Sequence, residues 1–255
     1  MKSLKIVADE RFLQSFAYIK KRLVGMANVE FVESDDTLEI SLSTKNYNVL
    51  EIIKDSIAEI IVTDAKTFFI RENIKLPTHD EVGVTAFLSA LCEFDRSTDK
   101  VIVSGLINLT PEFVIGSFYD FCLDILKQRW SEVCVLANEN LPLLMCRQTF
   151  SELLRFLVSN IDSSINEVFL KLEKKKNSDE IKVCDRHMKE IEYVYVNEGL
   201  SNEQRVMASL VALNPRRIFF DDCDCELYER VQEIFPCCVL QNVSEGQRVK
   251  EFLLY

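Results

Sequence analysis

Apolar residues fall along this chain in two spacings, and the switches between them mark its elements. Leu4 to Ala8 is a short apolar run; Asp9 stands where a helix cap belongs, and Phe12, Leu13, Phe16, Ile19 and Leu23 follow at helical spacing as far as Gly25. Val29 and Phe31, then Leu38, Ile40 and Leu42 beyond Ser34-Asp35-Asp36, alternate with polar residues. That period predicts a hairpin with one buried and one wet face. From Val49, the residues Leu50, Ile53, Ile57, Ile60, Ile61, Ala65, Phe68 and Phe69 recur every three to four positions, which predicts a helix of about twenty residues ending near Lys75, before Leu76-Pro77. Residues 1–75 therefore read as a β-α-β-β-α unit.

The next stretch, 76–162, carries helix signals. Thr78 and Glu81 are spaced as a capping box ahead of Val84, Phe87, Leu88 and Leu91. Thr110-Pro111-Glu112 places Pro at a first helical position before Val114, Phe118, Phe121, Cys122, Ile125 and Val133. Phe150, Leu153, Leu154, Leu157 and Val158 form a third stripe, and three such stripes predict a helical bundle. In 163–255 the period changes again. Val168, Leu170 and Leu172, then Ile181 and Val183, read as a hairpin, and Ser201 with Gln204 as a capping box for a helix that stops at Asn214-Pro215. Ile218–Phe220 as strand, Leu227–Ile234 as helix and Cys238–Val243 as strand complete a small α/β layer with at least one right-handed parallel crossover. The predicted class is α+β.

Composition narrows the partners. Thirty basic against 41 acidic residues give a net charge of −11, which repels nucleic acid and anionic lipid. The short runs Lys20-Lys21-Arg22 and Lys174-Lys175-Lys176 read as solvated caps and turns. Nowhere do apolar residues run long enough to cross a membrane, and acid at Asp9 and Glu10 interrupts any secretory core at the N-terminus, so the expected location is the cytoplasm. Nine scattered cysteines fit buried thiols better than a disulfide framework.

The densest cluster of candidate chemistry is Asp221-Asp222-Cys223-Asp224-Cys225-Glu226, between a predicted strand end and the next helix. Open α/β sheets bind ligands beyond their strand ends, and Asp221, Asp222 and Asp224 are hard oxygen donors suited to Mg²⁺ and a phosphorylated small molecule. The competing account makes Asp222 or Asp224 the helix cap, with the other acids favouring its positive end. Cys223, Cys225, Cys237 and Cys238 suggest zinc, yet a helix joining parallel strands separates the pairs by the length of a strand, ~17 Å, against Zn–S bonds of ~2.3 Å. His79 and His187 stand far apart, each beside an acid, and read as surface histidines. Trp130 and Phe113, Phe118 and Phe121 read as core.

Gly105-Leu106-Ile107-Asn108-Leu109, Ser151-Glu152-Leu153-Leu154-Arg155-Phe156-Leu157-Val158, Ile165-Asn166-Glu167-Val168 and Leu210-Val211-Ala212-Leu213-Asn214-Pro215-Arg216-Arg217-Ile218 resemble, in order and spacing, the YtxC-like family of sporulation proteins of spore-forming Firmicutes. The likeness spans about residues 100–220. It implies a cytoplasmic protein of spore-forming bacteria and brings no catalytic residue or cofactor. Together these readings lead to the expectation of a non-enzymatic protein acting on a protein partner, with no cofactor. The alternative is a Mg²⁺-dependent enzyme built on Asp221, Asp222 and Asp224.

Overall fold

A computed structural model describes residues 3–13, 15–27, 29–42, 47–74, 80–139, 146–174, 179–191, 200–220 and 226–240. The chain is α+β, with two four-stranded mixed sheets in two compact units. The first unit comprises the described residues within Met1–Leu76 and Cys92–Leu141, the second those within Pro77–Leu91, Pro142–Tyr193 and Gly199–Tyr255. No helix among the described residues is long and apolar enough to cross a membrane.

The first unit opens with strand β1 (Ser3–Val7), helix α1 (Ser15–Leu23) and the hairpin β2 (Val29–Ser34) and β3 (Thr37–Leu42). The hairpin closes through Asp35-Asp36, with Ser34 opposite Thr37, and Gly25 ends the helical stretch at φ 84°, which costs glycine little. Leu38, Ile40 and Leu42 are buried while Glu39 and Ser41 are exposed, so the expected two-faced alternation is present. Asp9 does not cap α1. Its Oδ1 accepts from the Arg11 backbone N–H at 3.0 Å in a turn before the helix, and Phe12 N–H reaches its carbonyl.

The long helix is interrupted. Helix α2 (Tyr47–Ile60) passes through a π turn at Ile61–Ala65 into α3 (Lys66–Asn73). Helices α4 (Glu81–Glu93) and α5 (Arg96–Leu106) follow, with only the last residues of α4, from Cys92, in the first unit. Thr110-Pro111-Glu112 does not open a helix. Glu112–Val114 is strand β4, parallel to β1, with Lys5 N–H bonded to the Pro111 carbonyl at 2.8 Å. Backbone pairing with a strand more than a hundred residues earlier outweighs the local preference of Pro for a first helical turn. Helices α6 (Ile115–Cys122) and α7 (Asp124–Glu139) complete this unit, and its sheet order is β2-β3-β1-β4. One buried cluster runs from Leu4, Ile6 and Ile40 through Ile53 and Ile57 to Phe118 and Trp130. Phe121 is not core. It is 79% exposed, because α6 buries the face of Ile115, Gly116, Phe118 and Tyr119 and Phe121 lies toward the other side of the same helix.

In the second unit, helix α8 (Arg147–Ser159) precedes the hairpin β5 (Glu167–Lys174) and β6 (Asp179–Cys184). Helix α9 (Asn202–Leu213) leads to β7 (Arg217–Phe220), and α10 (Glu226–Ile234) to β8 (Val239–Leu240). The sheet order is β6-β5-β7-β8, with β5, β7 and β8 parallel, so α9 and α10 lie in parallel crossovers, where at least one was expected. Ser201 and Gln204 form the expected capping box, and Asn214 ends α9 at φ 38° while its amide donates to the carbonyls of Val158 and Ile161. Thr78 lies outside the described residues. At the start of α4, Asp80 Oδ1 accepts from the Gly83 N–H at 2.9 Å, and Asp80 Oδ2 lies 2.6 Å from Arg230 of α10.

Candidate functional site

The sequence pointed to the loop after β7. Asp221, Asp222, Cys223, Asp224, Cys225 and His79 lie outside the described residues; the flanks are as expected, with β7 ending at Phe220, α10 starting at Glu226, and Cys237 and Cys238 just before β8. His187 is exposed in the turn after β6, where Asp185 Oδ1 accepts from the backbone N–H groups of His187 and Lys189. Those N–H groups hold the Asp185 carboxyl below its ordinary range, Lys189 contributing most. A shallow cleft of about 530 Å³ opens there, lined by Asn166, Glu167, Asp185, Arg186, His187 and Arg217. Its charges are largely engaged, Arg217 by Glu167 and the Arg186 Nε by His187 Nε2.

Three arrangements escape a reading of the sequence. The first is a buried polar knot in the first unit. Lys66 Nζ lies 2.8 Å from Asp99 Oδ2 and donates to the Phe94 carbonyl at 2.7 Å and the Cys92 carbonyl at 3.3 Å. Trp130 Nε1 donates to the same Asp99 oxygen at 2.9 Å. The side chains of Lys66 and Asp99 are 4% and 1% exposed, which is tolerable because the charges face each other and the Lys66 ammonium and Asp99 Oδ2 are hydrogen-bonded. Asp99 Oδ1 accepts no hydrogen bond among the described residues, with Arg129 Nε 3.6 Å away. Thr67 Oγ1 and Cys92 Sγ meet at 3.0 Å beside the knot, and burial pushes the Cys134 thiol up to about 11. A thiol so disfavoured as thiolate is a poor nucleophile at neutral pH. The knot is suited to holding helices in place.

The second is Asp64, inside the π turn. Burial pushes its carboxyl up to about 7, against a smaller opposing hydrogen bond from Thr63. The third is Cys146, exposed at the start of α8, where the Thr149 hydroxyl and the backbone N–H groups of Thr149 and Gln148 hold its thiol below the ordinary range. The Cys-x-x-Thr spacing at a helix start is the signal for it.

Carboxylates gather at the end of β1. Asp9, Glu10, Asp35 and Asp36 line a cleft of about 440 Å³ with Val7 and Val114, where the parallel strands β1 and β4 end. Asp9 is already committed, since Arg11 Nη2 lies 2.6 Å from its Oδ2 and 2.9 Å from Asp120 Oδ2. Gly116 lets this cluster close, because a Cβ there would overlap the Asp9 carboxylate. Among the described residues no group of His, Cys, Asp and Glu is placed to hold a metal ion. The exposed surface carries an apolar group at the joint of α6 and α7, Phe121 at 79% and Ile125 at 65% exposure with the exposed Cys122 beside them. In comparisons with known proteins the chain matches no family model, no curated protein and no solved structure.

Proposed function

We propose that this protein works in the cytoplasm of a spore-forming bacterium by binding another protein, without catalysing a reaction. The observation that carries this reading is the apolar group at Phe121, Cys122 and Ile125, exposed on a chain whose −11 charge otherwise favours solvent. Aromatic and aliphatic side chains held in water at a joint between two helices gain most when a partner covers them. The link to spore formation comes from the likeness to YtxC-like proteins across residues 100–220. The test is complementation of a strain lacking the gene. Wild-type protein should restore timely spore formation, and Phe121→Asp with Ile125→Asp, confirmed folded by circular dichroism, should not. Normal sporulation without the gene refutes the cellular role, and full rescue by the double variant refutes the patch.

A further inference from the structure

We infer that the outer edge of β2 is a docking strand for an extended, basic segment of a partner protein. The inference rests on the reading that this protein acts by protein contact, and it assigns a second surface and a partner chemistry to that reading.

Strand β2 is six residues long and stands at the end of its sheet, paired among the described residues on one side only, with β3. Pairing with β3 is regular from Val29–Leu42 to Ser34–Thr37, without a bulge. An edge strand presents unpaired backbone N–H and C=O groups along its free side, and proteins commonly block such edges with Lys, Pro or a bulge. The β2 sequence, Val-Glu-Phe-Val-Glu-Ser, has neither Lys nor Pro. It offers a template to which a second strand can add through main-chain hydrogen bonds.

The side chains specify what kind of strand. On the wet face of the sheet, Glu30 and Val32 lie two residues apart, and Glu39 of β3 stands opposite Val32. Val32 is 65% exposed. Neither Glu30 nor Glu39 makes an ion pair among the described residues, whereas Glu33, opposite Leu38 on the covered face, is held by Lys20. An incoming strand with Lys or Arg at alternate positions sets those cations on the wet face beside Glu30, with Glu39 one strand further in, and its intervening apolar residues on the face of Val29 and Phe31. Past Ser34 the acidic pair Asp35-Asp36 continues the same field. A second copy of this chain is the wrong occupant, because β2 against β2 sets acid against acid on a molecule of net charge −11.

The test uses the full chain and three labelled nine-residue peptides read by fluorescence anisotropy: one alternating lysine and valine, one alternating glutamate and valine, and the lysine peptide with proline at its centre. The lysine peptide should bind and slow amide exchange in residues 29–34. Glu30→Lys and Val32→Lys, both at exposed positions and checked for an unchanged melting temperature, should each weaken it at least tenfold, as should the proline or the change to glutamate. Equal binding of all three peptides, binding undiminished by both variants, or no binding of the lysine peptide at millimolar concentration overturns the proposal. So does a dimer in sedimentation that Val32→Lys dissolves, since the edge is then taken by a second copy. None of these readings involves Phe121, Ile125 or spore formation, so failure here is distinct from failure of the proposed function.

Discussion

A carboxyl group drawn out of water keeps its proton to higher pH, and at Asp64 the π turn positions the group for that effect. Its value of about 7 in the folded chain stands above the 3.8 of an exposed aspartate. Between those values the folded state binds more protons than the unfolded one, so this group's contribution is complete below pH 4 and is lost as pH rises through 7. Asp64→Asn should flatten that part of the stability curve and make the protein more stable than wild type at pH 8, by on the order of 1 kcal/mol. Urea midpoints at pH 5 and pH 8 for both proteins are the measurement; parallel changes in the two would show that Asp64 is ionised in the fold throughout. The sequence carries a trace of this residue, one acid inside Ile61-Val62-Thr63-Asp64-Ala65, but acidity alone does not reveal that the residue is half-buried. Phe121 shows the same limit in reverse, since its spacing is that of a core residue while α6 buries the face of Ile115, Gly116, Phe118 and Tyr119 and leaves Phe121 exposed.

At the scale of elements, local chemistry was readable and long-range phase was not. The Asp35-Asp36 hairpin, the Ser201–Gln204 box and the Asn214 stop each depend on residues within a few positions, and the chain shows them. The π turn adds a residue to one helical turn and so changes which side chains of α3 face inward. Continuous α-helical spacing from Val49 gives no hint of that shift, nor of Lys66 meeting an aspartate 33 positions later. Asp99→Ala leaves the Lys66 ammonium buried without its counter-ion and should cost about 3–5 kcal/mol, whereas Lys66→Met with Asp99→Leu should recover most of the loss. Denaturant unfolding of wild type, Asp99→Ala and the double variant decides it. A loss below about 1 kcal/mol in Asp99→Ala would mean that solvent reaches the knot.

For the molecule as a whole, the second unit is assembled from separated stretches of chain, and α4 is the piece brought from furthest upstream. Apolar spacing announces α4 as a helix but cannot say which sheet it serves, because a stripe of Val, Phe and Leu is equally suited to any core. Its membership is decided by particular contacts within that unit. Phe87 packs on Phe150 of α8 with ring centroids 5.8 Å apart, and Asp80 holds Arg230 of α10 while capping α4. Gly83 is required there, since a Cβ would overlap the Asp80 carboxylate and the Phe150 ring. These contacts predict that residues 142–255 produced alone should lack a cooperative thermal transition, because Phe150 loses the ring it packs on and Arg230 one of its two carboxylates, keeping Glu233 alone. Adding a peptide of residues 77–93 in excess should restore the transition by mass action, with a midpoint that rises with peptide concentration. In the full chain, Phe87→Ala should lower the stability of this unit by about 3–5 kcal/mol. Calorimetry of the fragment with and without peptide is the direct measurement. A fragment that melts cooperatively alone, unmoved by the peptide, would show that α8, α10 and the sheet suffice and that α4 is added to a core already complete.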